Sequence, residues 1–433
     1  MNVTRKLFLL IVAFISVIRL TFAEQTNLAV SEMESDTELV MPIFAMPTDS
    51  LGEYLDNFAF NVDSLLCLWY AQNYLVMDTN CYHSSENPTF SDSIYIKRLK
   101  SLPTIVEMPY NQYIRNAIDA YTIRNRNLVS YFLGMFNMYD DIFVEALLRY
   151  NVPVELKYLP IIESALKPDA YSRMGAAGMW QFIYSTGKSY GLNVSSLVDD
   201  RYDVIKQTDA AARYLRDLFN IFGDWSLAIS AYNCGPGNVN KAIVRSGNKR
   251  DFWSIYPYLP RETRGYLPAF VAVNYIMTFY SEHNICPMNS FSPSMTDTLL
   301  ITKNIHFGQI SHYCDLSMEE LRALNPQYLR DIIPGDYKPY ILTLPANKTR
   351  PVLESEDSIY HYRIEEFFPK SQTTYINDEM TNKRTYVTHK IKSGETLSSI
   401  AVKYHTTIKN IKNWNNLSSD KIRAGKTLHI YNR

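Results

Sequence analysis

The sequence is poor in the groups that bind metals and staple small folds. Five cysteines, Cys67, Cys81, Cys234, Cys286 and Cys314, are spread over 433 residues. That is too few for a disulfide scaffold, although sequence distance suggests Cys67 with Cys81 and Cys286 with Cys314 as pairs. No two stand in a Cys-x-x-Cys spacing and none joins a histidine cluster of zinc type, so neither a metal nor a cofactor is expected. An excess of one charge is also missing: 43 basic side chains face 44 acidic ones, a formal charge of -1. A general attraction to nucleic acid is thereby excluded. Long apolar runs are absent except at the start, where Leu7 to Ile18 follows Arg5 and Lys6 and precedes Thr21-Phe22-Ala23. Arg19 ends that run short of the roughly 20 residues a membrane span needs. Basic end, apolar segment and small residues are the order of a secretory signal, expected over residues 1–23. The chain is therefore expected to be exported, to the periplasm or cell envelope. No cysteine precedes Cys67, so no lipid anchor is expected.

What is present is a globular composition with 33 tyrosines, compatible with carbohydrate stacking and with ordinary amphipathic packing, on a chain long enough for several domains. Residues 24–104 mix acidic and Ser/Asn-rich patches, and no chemistry is assigned to them. From 105 to 290 the pattern is helical. Asn111 to Tyr150 reads as two helices, and Pro153 suits the first turn of a new one. Asp199 to Asp203 opens a further helix whose Ala211, Leu215, Leu218, Phe219 and Phe222 share a face, with Gly223 ending it.

Beyond Ser290 strands return. Leu299–Thr302, Gly308–Tyr313, Ser317–Leu324 and Tyr340–Leu344 read as strand, helix, helix, strand, a module over 298–347. Residues 348–385 are polar and read as a linker. Tyr386–Ile391, Thr396–Tyr404, Ile408–Trp414 and Thr427–Tyr431 repeat the order over 386–432, with Ile400, Ile408, Ile411 and Leu428 as core and Trp414 more a core residue than a sugar platform.

One carboxylate stands out. In Leu-Pro-Ile-Ile-Glu-Ser-Ala-Leu, residues 159–166, Glu163 lies among Leu156, Leu159, Ile162 and Leu166 at helical spacing. Desolvation there disfavours the ionised form, and a carboxylic acid kept protonated near neutrality can protonate a leaving oxygen. Ser172 follows, then Gly175 to Phe182, a small-residue turn in which glycines admit close backbone approach and Gln181 offers both donor and acceptor. Ala231-Tyr232-Asn233-Cys234 precedes the breaker Gly235-Pro236-Gly237, and Tyr266 sits between a charged run and Pro268.

These four pieces, Glu163-Ser164, Gly178 to Gln181, Ala231 to Asn233 and Glu262 to Pro268, resemble in order the motifs of family 1 lytic transglycosylases, the soluble type with a lysozyme-like domain. The tail from Thr388 through Ser393-Gly394-Glu395-Thr396 to Asn413-Trp414-Asn415-Asn416-Leu417 resembles a LysM module, and 298–347 resembles a degenerate one. The resemblance implies a multi-domain chain: an α-rich lysozyme-like catalytic domain followed by small α+β (βααβ) LysM-type modules. It implies Glu163 as the single catalytic acid and base, Ser172 orienting it or touching substrate, Met179 and Gln181 lining sugar subsites, and Tyr232, Asn233 and Tyr266 framing the cleft. Met174 stands where some relatives carry a second serine. The implied reaction cuts the β-1,4 bond between N-acetylmuramic acid and N-acetylglucosamine and leaves a 1,6-anhydro end. The partner is the peptidoglycan strand, with no protein partner named. A hydrolytic muramidase, drawing a second carboxylate from Asp169, Asp199, Asp200 or Asp203, and an inactive glycan binder remain the alternatives.

Overall fold

The structure, a computed structural model, describes residues 75–77, 86–290, 296–369, 376, 386–392, 394–404, 406–415, 417 and 419–431. The expected signal segment, most of the region 24–104, and the Cys67–Cys81 pairing lie outside the described residues. Two compact units emerge, the first containing residues 86–194 and 199–290, the second residues 297–321 and 328–431.

The first unit is helical: α1 (Asp92–Ser101), α2 (Gln112–Asp119), α3 (Arg126–Phe136), α4 (Asp140–Arg149), α5 (Leu159–Ser164), α6 (Tyr184–Ser189), α7 (Val204–Phe222), α8 (Trp225–Cys234), α9 (Pro236–Arg245), α10 (Phe252–Ile255), α11 (Arg261–Arg264) and α12 (Tyr266–Phe279). A two-stranded antiparallel sheet, β1 (Leu75–Met77) with β2 (Met288–Ser290), belongs to the same unit. Helix α7 forms as its sequence dictates. Asp203 caps it by accepting the Lys206 N–H at 3.0 Å, Ala211, Leu215, Leu218 and Phe222 are buried, and Gly223 at φ 67° ends it.

Two expectations need correction here. The stretch 111–150 is three helices rather than two, because a π turn over Ala120–Arg124 interrupts it before α3 and a short turn precedes α4. The side chain of Asn125 donates to the Ala120 carbonyl at 3.1 Å, closing the wide turn that hydrophobic spacing does not reveal. The helical domain also starts before residue 105. Tyr95 and Leu99 of α1 are buried in the same core as α12, so the segment is part of this domain.

The second unit carries both small modules. The first has β3 (Thr296–Ile301), β4 (Asn304–His306), α13 (Phe307–Cys314), α14 (Met318–Leu324), β5 (Ile332–Pro334) and β6 (Tyr340–Pro345), with β3 beside β6 and β4 antiparallel to β5. The four expected elements are present, with the β4–β5 pair added. The expected linker at 348–385 is instead helical at its start, with α15 (Ala346–Glu354), α16 (Glu356–His361) and α17 (Ile364–Phe367). Val352, Ile359 and Tyr360 are buried in the module's core, and Gln309 Nε2 donates to the Tyr360 and Tyr362 carbonyls at 3.2 and 3.0 Å. A few apolar side chains at helical spacing inside a polar stretch are enough to dock it. Beyond Pro369, only Ile376 of that stretch is described.

The second module has β7 (Tyr386–Lys390), α18 (Leu397–Lys403), α19 (Ile408–Trp414) and β8 (Thr427–Tyr431), with β7 and β8 antiparallel. Thr396 and Ser399 form a reciprocal cap on α18. Ile391, Leu397, Ile400, Ile411, Leu428 and Ile430 make the core, and Ile408 and Trp414 pack against it. The Asn415 side chain accepts the His429 N–H at 2.7 Å and donates to the His429 and Ile411 carbonyls, tying the end of α19 to β8. The Cys286–Cys314 pairing is overturned: Cys314 is a free, buried thiol, whereas Cys286 is disulfide-bonded. Among the described residues no helix is long and apolar enough to cross a membrane.

Candidate active site

Glu163 is the next-to-last residue of α5. A 3-10 turn over Val154–Tyr158 leads in, Pro160 fits the first helical turn, and the helix stops because Ala165 and Leu166 both take left-handed backbone, at φ 54° and 61°. Each such non-glycine residue costs about 1–3 kcal/mol, so the surroundings must enforce the turn. Both residues are buried in the main core. The sharp stop leaves Glu163 at the end of a short, rigid segment, and its side chain is only 5% exposed.

The carboxyl group of Glu163 has one close partner. Tyr266, the first residue of α12, donates its phenol O–H to Glu163 Oε1 at 2.5 Å across 103 positions of sequence. Burial pushes the carboxyl pKa up to about 7 against an ordinary 4.5, and the Tyr266 hydrogen bond opposes that rise only in part. Near neutrality the group thus exists as both acid and carboxylate, the condition for giving up a proton and taking one back.

A loop from Tyr171 to Phe182 forms the neighbouring wall. Ser164 Oγ lies within hydrogen-bond distance of the Pro160 and Met179 carbonyls, at 3.1 and 3.0 Å, and so joins the end of α5 to this loop. Gly178 sits at φ 79°, and a Cβ there would stand 1.8 Å from the Arg201 carbonyl oxygen, so only glycine fits. Behind it Gln207 Oε1 accepts the Trp180 N–H at 3.1 Å, and Trp180 Nε1 donates to Thr208 Oγ1 at 2.9 Å, so α7 holds the loop from beneath. Arg201, buried against Asp199 at 2.7 Å, donates to the Gly175 and Phe182 carbonyls. A charged pair enclosed this far is stable only when its hydrogen bonds are met, which these carbonyls do.

Gln181 ends the loop in left-handed conformation at φ 51°. Its Nε2 donates to the Gly178 carbonyl at 2.6 Å, which fixes the amide and leaves Oε1 as a buried acceptor with no partner. Tyr232 on α8 donates its phenol O–H to the Trp180 carbonyl at 2.7 Å. Burial raises its phenol pKa well above 10.0, and the charge of Glu163 acts in the same direction. Gln181 and Tyr232 line one pocket with Phe182, Ile183, Thr186, Tyr214 and Gly235. Asn233 follows on α8, its Oδ1 also buried and unpartnered.

The structure joins Glu163 to Tyr266, and sets Gln181 and Tyr232 in one pocket that Glu163 does not line, with Asn233 next to Tyr232 in sequence. Two other expected site residues lie in this loop with their side chains buried. Met179 is 0% exposed in the main core, so its side chain lines no open subsite, and only its carbonyl serves the site, through Ser164. Ser172 is buried in the turn that opens the loop, where Oγ accepts the Ala176 N–H at 2.9 Å. The spare carboxylates are engaged elsewhere: Asp199 with Arg201, Asp200 with Lys206 at 2.6 Å, Asp203 as the cap of α7, and Asp169, exposed, 3.7 Å from Lys167. Arg201, Gln207 and Thr208 escaped the sequence reading because their partners are backbone groups and side chains of a loop some 20 to 30 positions away. The one available signal was an arginine set among helix-opening aspartates.

Comparison with known proteins finds likenesses along most of the described chain. Residues 141–254 match the Transglycosylase SLT domain family, 295–361 the LysM-like domain of lytic transglycosylase MltD, and 389–430 the LysM domain. The chain is 32% identical over 286 residues to membrane-bound lytic murein transglycosylase D of Escherichia coli (strain K12), covering 65% of this chain and 61% of that enzyme. It thus spans somewhat under two thirds of that relative's length. It is 36% identical over 120 residues to peptidoglycan transglycosylase gp16 of Escherichia phage T7, covering 27% of this chain and 9% of that protein. A match of 51% over 57 residues to the cell wall-binding protein YocH of Bacillus subtilis (strain 168) covers 13% of this chain and 19% of that one. By these matches the chain carries a Transglycosylase SLT domain, followed by a LysM-like domain of the MltD type and a LysM domain.

Proposed function

We propose that this protein is a lytic transglycosylase of peptidoglycan in the cell envelope, held to its substrate by the C-terminal LysM module. The carrying observation is Glu163: one buried carboxyl group, raised to about 7 and hydrogen-bonded by Tyr266, while Asp199, Asp200 and Asp203 are bound elsewhere. Glycosidases that deliver water normally use two carboxyl groups flanking the bond. A single one fits a reaction in which the substrate supplies its own nucleophile.

In that reaction the Glu163 O–H protonates the glycosidic oxygen between N-acetylmuramic acid and N-acetylglucosamine. The C1–O bond breaks and the N-acetylglucosamine fragment leaves with a free 4-hydroxyl, while the acetamido group of the muramic residue stabilises the positive charge at C1. Glu163, now a carboxylate, takes the proton from the C6 hydroxyl as that oxygen closes on C1. A 1,6-anhydro end results, Glu163 is again protonated and no water is consumed. Tyr266 steadies the carboxylate between the two proton transfers. The unpaired acceptors of Gln181 and Asn233 are suited to receive hydroxyl or amide N–H donors of the sugars. Ser172 and Met179 serve by shaping the loop that carries Gln181.

Mass spectrometry of digested sacculi tests this. Anhydro-muramic ends that disappear in Glu163→Gln are expected. Reducing ends without anhydro termini would mean a muramidase, and equal lysis by Glu163→Gln would remove the residue's catalytic role.

A further inference from the structure

Away from the acid, three aromatic rings converge on the surface of the helical unit. Tyr113, in the first turn of α2, is 52% exposed. Its ring lies 6.1 Å from that of Trp253 at 19° to its plane, and 4.9 Å from that of Tyr256, while Trp253 and Tyr256 are 5.7 Å apart at 30°. Trp253 and Tyr256 pack against the main core and remain only partly buried. Tyr113 is tilted 41° to Tyr256 and is nearly parallel only to Trp253; a single exposed aromatic is ordinary, but core packing does not call for three clustered rings, one of them about half in water.

We propose that Tyr113, Trp253 and Tyr256 form an outer glycan subsite, a stacking platform for a pyranose ring of the strand at a distance from the bond that Glu163 attacks. This rests on the function proposed above. Pyranose rings offer a flat C–H face to an aromatic ring and hydroxyls to the phenol edges beside it, which suits a mixed Trp/Tyr surface. The platform is built on the chain segment that also carries the catalytic partner. Arg264 stands two positions before Tyr266, its guanidinium 6.0 Å from the Tyr256 ring centre, and donates to the Pro257 and Leu259 carbonyls at 2.7 and 3.1 Å. Charge points the same way. Residues 241–264 hold six basic side chains, Lys241, Arg245, Lys249, Arg250, Arg261 and Arg264, against Asp251 and Glu262, a surplus of four positive charges in a chain whose total is -1. The lactyl and stem-peptide carboxylates of a muramyl strand complement such a segment.

The test uses the full chain as Glu163→Gln, so that no turnover occurs, labelled with 5-fluorotryptophan and titrated with the β-1,4-linked hexamer of N-acetylglucosamine. Five resonances are expected, one per tryptophan, and Trp253→Phe assigns the fourth in sequence. The Trp253 resonance should shift saturably, and Tyr113→Ala should raise the midpoint of that shift about three- to tenfold. A Trp253 resonance that stays put at saturating hexamer, or a midpoint that Tyr113→Ala leaves unchanged, overturns the platform. The two readings fail separately: absence of anhydro product from wild type refutes the lyase without moving the Trp253 signal, and a silent Trp253 refutes the platform with product formation intact.

Discussion

Replacing Glu163 by glutamine should make the protein more stable, and only at the alkaline side. The carboxyl group titrates near 7 in the folded chain and near 4.5 when exposed. Between those values the unfolded chain has lost the proton that the folded chain still holds, so stability falls as pH rises through this window. At about 1.4 kcal/mol per pH unit, the full penalty above pH 7 is about 3 kcal/mol. Glutamine has nearly the same shape, accepts the Tyr266 hydroxyl as well, and does not ionise. Denaturant unfolding of both proteins at pH 4 and pH 8 measures the difference. The variant should match wild type at pH 4 and exceed it by up to about 3 kcal/mol at pH 8, with no lytic activity at either. Equal stability at both pH values would mean that burial does not hold the carboxyl protonated, and the acid–base argument would fail with it.

Three further outcomes are expected. Tyr266→Phe removes the hydrogen bond that lowers the Glu163 pKa, so the basic limb of the kcat profile should move to higher pH while kcat falls about tenfold or more; an unmoved limb would argue against coupling between the two. Gly178→Ala drives a Cβ into the Arg201 carbonyl and should cost about 2–4 kcal/mol in thermal unfolding, with activity lost in proportion. Ile411→Ala empties a fully buried position in the second module at a cost of about 2–4 kcal/mol. In a core that small the module should unfold, so pelleting of the chain with sacculi should fall while the helical unit's melting stays as it was.

Local order was legible where a residue acts on its own neighbours. Asp203 and Gly223 bound α7, Thr396 caps α18, and Gly235 followed by Pro236 separates α8 from α9, all through backbone groups a few positions away. The π turn at Ala120–Arg124 and the helices after Pro345 were not legible, because each depends on partners that hydrophobic spacing leaves unspecified. At the site, the burial of Glu163 could be anticipated from its apolar neighbours. The retreat of Met179 into the core could not, since the side of the loop facing inward is set by the left-handed turns at Gly178 and Gln181.

By itself the sequence determined which residue types stand in which order, and hence the helices, the two repeated modules and a lone acid in greasy company. Only the tertiary structure decided that the acid has a partner, because the hydrogen bond needs the Tyr266 hydroxyl brought to 2.5 Å from Glu163 Oε1 across 103 positions, and nothing local to either segment specifies that distance. It decided too that the candidate second carboxylates are tied up elsewhere, since an ion pair exists only once the chain has folded both charges into one place.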